Sequence, residues 1–226
     1  PYHAMYDLIS LSHETGHALN GYLCQEENAF EWDWFGSLDV CETQSNSTTL
    51  MLLDTLAGFC PDLEAEIRLE AVLYLVESLV WCALDDEIER SLYEYEGTLT
   101  LETANQIAND CYLAAGMDPE DFFSGEYLSW PESEHLAVYP CYTVSYVVSA
   151  AAALGIWLQG AEDPDAAWAN YETVLRLPST RTDYLEMLDL CGLAGDGGVF
   201  TAEFYEALAA YIRETCQGRA ALGNRF

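Results

Sequence analysis

The sequence predicts an almost all-α fold of about eight helices. Three observations point there. Apolar residues recur with a period near 3.6 over most of the chain. Capping residues bracket those periodic stretches, as in Thr100, Asp163-Pro164 and Thr201 at starts and Gly97 and Gly116 at ends. No stretch alternates apolar and polar residues convincingly enough to make a strand.

Taken in order, the first helix covers roughly residues 4–25, with Met5, Leu8, Ile9, Leu19 and Leu23 on its apolar face. Ser12 and Gly16 share that face and are small, which suits close packing against a second helix. A joint near Trp32–Gly36 leads to a helix over about 38–58, carrying Leu38, Cys41, Leu50, Leu53 and Leu56. Pro61-Asp62 opens a long helix running to about Glu96, with Ile67, Val72, Leu75, Leu79, Leu84 and Ile88 inward. Thr100 caps the next helix, which stops at Gly116. Residues 117–134 read as a connector. Further helices are expected at about 140–159, 163–177, 181–191 and 201–216. The uncharged run Val138–Gln159 is long enough to consider as a membrane span, but Pro140, its tyrosines and serines and its alanines fit a buried helix better.

The chain has 226 residues, 51% of them hydrophobic, and this supports one folded domain over 1–226 rather than a disordered acidic tail. Seven Lys plus Arg, all of them arginine, face 39 Asp plus Glu, for a formal charge of −32. Phosphate backbones and anionic membrane surfaces require clustered cations, so nucleic acid and membrane partners are excluded as expectations. The same field favours neutral or basic ligands. The 8 cysteines form no CxxC pair and mostly sit in apolar helical stretches, which predicts buried, reduced thiols in a cytoplasmic protein and no cysteine zinc site.

Residues 13–17 read His-Glu-Thr-Gly-His. On a helix, His13 and His17 fall on one face and two imidazoles can hold one metal ion between them. Glu14 lies beside them, placed to take a proton from water at the metal. A third ligand is available on the next helix, where Glu42 is preferred and Asp39 competes. Two histidines and one carboxylate form a catalytic rather than a structural zinc set, because one position stays open. Glu70 and Glu87 are candidates to orient the imidazoles from behind. The scarce arginines 68, 90, 176 and 181 are expected to pair with acids, although Arg181 could instead grip a substrate carboxylate.

The stretch MYDLISLSHETGHALNGYL, followed by DVCETQS, resembles the oligoendopeptidase F branch of the thimet oligopeptidase family, zinc metallopeptidases that cleave short peptides. Glu42 and Ser45 match the Glu-x-x-Ser setting of the family's third ligand. WCALDDEIERSLYEYEGTLTLETANQIANDCY resembles the family's acidic helix end and the helix after it. The run from His135 through Tyr139-Pro140-Cys141-Tyr142 to Tyr146 resembles its His…Pro-Phe-Tyr…Tyr motif, and RLPSTRTDYLEMLDLCGLAG a later segment. The resemblance implies a multi-helix, zincin-like catalytic domain with one zinc ion per chain on His13, His17 and Glu42. It implies Glu14 as general base, Tyr142 or Tyr146 as hydrogen-bond donor to the reacting carbonyl with His135 beside it, and short peptides as substrates. From spacing alone, Tyr142 and Tyr146 fit core packing on a helix better than a catalytic role. This chain departs from the family at Leu177-Pro178-Ser179, where the family has Gly-Gly-Ser, and at Cys141, where it has Phe. The resemblance also implies that the chain is the C-terminal catalytic portion, with the N-terminal half of the family fold absent. A noncatalytic zinc-binding helical module, or a portion that works only with that other half, is the alternative expectation.

Overall fold

The computed structural model describes residues 2–27, 36–119, 136 and 138–220. Among them are nine α-helices, one 3-10 turn and no strand. The predicted joint near Trp32–Gly36 and connector 117–134 lie largely outside the described residues, as does His135. Contacts divide the chain into two compact units, Pro1–Val76 with Val148–Phe226, and Glu77–Val147.

In the first unit, α1 (Tyr2–Glu27) packs along α2 (Leu38–Met51). Gly16 makes this possible. A Cβ there would stand 2.5 Å from the Ser45 Cα and 2.7 Å from Thr48 Oγ1, closer than side chains tolerate. Ser12 adds a hydrogen bond across the same seam, its hydroxyl donating to Thr49 Oγ1 at 3.2 Å. The close approach expected of Ser12 and Gly16 is therefore the actual contact.

The expected helix over 38–58 is broken in two. Leu52 caps α2, and α3 (Leu53–Phe59) follows. A 3-10 turn at Pro61–Leu63 then leads into α4 (Glu64–Glu94), so proline opens the turn and not the long helix itself.

α2 is the centre of this unit, in contact with α1, α7 (Pro164–Arg176) and α8 (Tyr184–Leu190). Every residue from Glu42 to Leu50 is buried, although only Leu50 is apolar. The hydroxyls satisfy themselves by bonding back one turn: Thr43 to the Asp39 carbonyl at 2.6 Å, Thr48 to Gln44 at 2.8 Å and Thr49 to Ser45 at 3.3 Å. The longer amides reach outward. Gln44 Nε2 donates to the Val174 and Leu177 carbonyls at 3.0 and 2.7 Å, and Asn20 Nδ2 on α1 donates to Leu175 and Leu177 at 2.9 and 3.1 Å. These carbonyls lie at the end of α7, where the Leu177 N–H also donates to Val174 at 3.1 Å, so two side chains help to cap that end and tie α1 and α2 to it. Leu177-Pro178-Ser179, the departure from the family pattern, is thus a docking edge. The Ser37 N–H donates to the Ser179 carbonyl at 2.9 Å beside it.

α6 (Thr143–Gln159) supplies the apolar counterpart, with Ala150–Leu154 and Ile156 buried to 2% exposure or less. It begins at Thr143 rather than near 140, because Pro140 and Cys141 form a turn in which Cys141 takes φ of 61°. Among the described residues no helix is long and apolar enough to cross a membrane. α7 has the expected Asp163 cap, accepting from the Ala166 N–H at 3.0 Å, with Pro164 in its first turn. α9 (Ala202–Ala220) starts after Thr201, whose hydroxyl accepts from Phe204 N–H at 3.3 Å.

The second unit is built on the last turns of α4 and on α5 (Leu101–Ala114), with Leu84, Ile88, Ala108, Cys111 and Tyr112 as its core. Thr100 caps α5, and Gly116, at φ of 77°, follows its end as predicted. Among the described residues, cysteines 24, 41, 60, 82, 111, 141 and 191 are thiols in no disulfide. The expectation of burial fails for Cys60 and Cys141, which are exposed in turns that start or link helices rather than on a packed face.

Candidate metal centre

α1 brings His13 and His17 onto one face one turn apart, with ring centroids 5.0 Å apart and nearly perpendicular at 83°. α2 brings Glu42 to them through the seam that Gly16 opens. Glu42 Oε2 lies 3.2 Å from His13 Nε2 and 3.8 Å from His17 Nε2. One ligand atom from each of the three residues falls within 4.8 Å of the others. Asp39, the competing third ligand, is not in this group.

Electrostatics at the group favour the forms that bind a metal. Burial pushes the His17 pKa below its ordinary value of 6.5, against the opposing charge of Glu42. His17 is therefore held neutral, with a lone pair to give. For Glu42 burial acts upward. The hydrogen bond and charge of His13, the charge of His17 and the Ser45 hydroxyl together outweigh it, so its carboxyl lies below the ordinary 4.5. Ser45 Oγ donates to Glu42 Oε2 at 3.3 Å. Cys41, next in sequence, is pushed up to about 12 by burial and then by the Glu42 charge, so it stays a thiol and offers no thiolate ligand.

Glu14 is exposed on α1, close enough for its charge to act on His17. Tyr142 and Tyr146 belong to the second unit, half-buried, with rings 5.3 Å apart in an edge-to-face pair. They do not share a helix as expected: Tyr142 sits in the turn after Cys141, and only Tyr146 is on α6. The Cys141 N–H that shapes this turn donates to Glu89 Oε1 at 2.9 Å. His135 lies outside the described residues.

Of the two acids expected behind the imidazoles, Glu87 pairs with Arg90 on its own helix. Arg68 likewise pairs with Glu64 at 2.9 Å. What faces His13 from behind is Asn46, with Oδ1 3.1 Å from Nδ1. The available signal was its position, one helical turn after Glu42 and so on the same face of α2.

No family model and no curated protein sequence matches the chain. Its fold does match solved structures. A PZ peptidase A with an inhibitor aligns at TM-score 0.75 and 19% identity, over 92% of this chain and 36% of that one. A protein assigned as oligoendopeptidase F aligns at 0.74 and 20% identity, over 90% and 36%. Another, from Bacillus anthracis str. Ames, aligns at 0.66 and 18% identity, over 95% and 34%. The chain therefore has the helical fold of one part of oligoendopeptidase structures, as the motif resemblance implied, and spans 34–36% of the length of these proteins.

Proposed function

We propose that this chain carries the metal centre of a zinc-dependent oligopeptidase that hydrolyses peptide bonds in short peptides. The observation that carries the reading is the convergence of His13, His17 and Glu42 from two helices into one group within 4.8 Å. Two imidazoles and a carboxylate suit zinc, and the three residues leave a fourth position for a reactant. The donor set also fits by charge state, since the fold keeps His17 neutral and Glu42 ionised. When bound, zinc supplies Lewis acidity toward a water and the scissile carbonyl.

The remaining chemistry belongs to side chains. Glu14, next to His13 in sequence, accepts a proton from the attacking water and delivers it to the leaving amine. Its exposure lets it reach both. Tyr142 or Tyr146, with His135 beside it, is assigned as donor to the carbonyl oxygen as charge develops on it, a role that rests on the motif resemblance. A phenol suits it because it donates a hydrogen bond while staying neutral. The charge of −32 favours neutral or basic peptides over acidic ones. Seven cysteines that form no disulfide among the described residues support a reducing, cytoplasmic setting. Because the solved relatives in fold are about three times longer, the activity proposed is that of the whole protein.

Elemental analysis of the purified protein beside His17→Ala tests the centre. About one zinc per chain, lost in the variant, is the expected result. Glu14→Gln is expected to keep zinc and lose peptide cleavage. A wild type that takes up no zinc when incubated with it would end this reading.

A further inference from the structure

We propose that Asn46 is a positioning residue for the metal centre: held by Ser149, it fixes His13 in the tautomer that carries its proton on Nδ1 and turns the Nε2 lone pair toward the metal. The inference rests on the zinc reading above and goes one layer behind it.

The geometry is a chain of three side chains within the first unit. Asn46 Oδ1 lies 3.1 Å from His13 Nδ1, and Asn46 Nδ2 donates to Ser149 Oγ at 3.3 Å. An amide has one accepting end and one donating end. With the NH2 end engaged by the Ser149 hydroxyl, the end facing His13 is a carbonyl oxygen, which can only accept. Nδ1 must then be the donor, and Nε2, which faces Glu42 Oε2 at 3.2 Å, is the nitrogen left for a metal. The opposite tautomer would leave the Asn46 oxygen facing a lone pair inside the protein. Asn46 is 3% exposed and Ser149 0%, so water does not easily supply a substitute partner.

The position of Asn46 adds to this. Glu42 and Asn46 are one turn apart on α2, so a single helix face provides both a metal ligand and the group that orients another ligand. Any shift of α2 along α1 would disturb both together. An amide, unlike the carboxylates expected from the sequence, orients the ring without adding a second negative charge beside buried Glu42.

The test combines zinc affinity with the protonation of the His13 ring, read by nitrogen-15 NMR on the intact protein at neutral pH. In zinc-bound wild type, Nδ1 is expected to carry a proton and Nε2 none. Asn46→Ala is expected to lower zinc affinity by about 10- to 100-fold and to release the tautomer preference. Asn46→Asp, which keeps an acceptor at His13, is expected to retain affinity within a few-fold and keep Nδ1 protonated. Ser149→Ala, which removes only the far end of the chain, is expected to fall between these and serves should Asn46→Ala fail to fold. An unprotonated Nδ1 in zinc-bound wild type would overturn the proposal, as would equal zinc affinity in wild type, Asn46→Ala and Ser149→Ala. A wild type that binds no zinc but shows Nδ1–H would instead overturn the metal reading beneath it and remove the positioning role with it.

Discussion

From Glu42 to Thr49, α2 is as buried as α6 is from Ala150 to Ile156, yet the first stretch is wholly polar and the second is alanine, leucine, glycine and isoleucine. Over Ala150–Leu154, α6 is the ordinary solution to burial: strong helix formers, no polar side chain to satisfy and little side-chain entropy to lose. α2 follows another rule. Its serines and threonines have lower helix propensity, by up to about 0.7 kcal/mol per residue relative to alanine, and their hydroxyls must be satisfied inside the protein. The back-bonds do so for most of them, but Gln44 Oε1 and Ser47 Oγ have no hydrogen-bond partner among the described residues. A helix selected for stability alone would resemble α6. α2 instead holds a carboxylate, an amide and small hydroxyls where α1 and α7 need them, and it can lie close to α1 because its side chains there are small.

The largest contrast is expected from introducing charge. Ala152→Asp places a carboxylate in α6 at 0% exposure, where the effective penalty for an unpaired buried ion is several kcal/mol. The variant should fail to fold or lose most of its thermal transition. Glu42 is a carboxylate at 7% exposure that the fold already accepts, because two imidazoles and Ser45 surround it. If Ala152→Asp folded with an unchanged transition, the distinction between the helices would collapse.

Next in size is the seam. Gly16→Ala adds one methyl group against the backbone of Ser45, which cannot rotate away. Overpacking of this kind costs about 1–3 kcal/mol, and zinc affinity should fall with it, since Glu42 would move from the imidazoles. Gly58→Ala is the matched control. Nothing lies within 4 Å of a Cβ there, and the same change on α3 should stabilise by about 0.4–1 kcal/mol. Chemical denaturation of both variants checks the pair. A Gly16→Ala protein as stable as wild type would mean that α2 does not depend on this approach.

Acid should separate the two helices as well. The folded pKa of His17 lies below its ordinary 6.5 and that of Glu42 below its ordinary 4.5. In both cases the fold favours the unprotonated form. The stability this confers is fully present above the ordinary values and is lost as pH falls through the lower, folded ones. Metal-free protein should therefore lose stability as pH drops below the ordinary 6.5 of histidine, and less steeply in His17→Gln. Zinc should be released over the same range, because protons compete for the same atoms. Thermal melts and chelator competition at stepped pH would show it, and identical pH profiles for wild type and His17→Gln would refute it.

How much of this was readable beforehand follows from the same contrast. Periodic apolar residues and caps marked α5, α7 and α9 closely, since Thr100, Asp163 and Thr201 each cap where expected. The His13, His17 and Glu42 group was legible because helix geometry alone puts the two imidazoles together and a carboxylate on the next helix completes a known donor set. The burial of α2 was not, because threonine and serine read as a solvent face when their back-bonds are unseen. Nor was Asn46, since an amide in a Ser/Thr-rich stretch carries no signal that marks it as facing an imidazole, whereas acids do. The break at Leu52 and the turn at Cys141 depend on backbone dihedrals that residue type does not announce.

The smallest expected effect is the most specific to α2. Ser47→Ala removes a hydroxyl at 0% exposure that makes no hydrogen bond among the described residues. A buried, unsatisfied polar group costs about 1–3 kcal/mol, and alanine is also the better helix former. The variant should gain about 1 kcal/mol while zinc content stays at the wild-type level, since Ser47 touches none of the three ligands. The same change at Ser45 should do the opposite, because Ser45 donates to Glu42 and helps to hold it ionised. Zinc affinity in Ser45→Ala should fall while stability changes little. If Ser47→Ala destabilised the protein, its hydroxyl would have to be bonded after all, and α2 would owe its composition to internal hydrogen bonding throughout rather than to the site it carries.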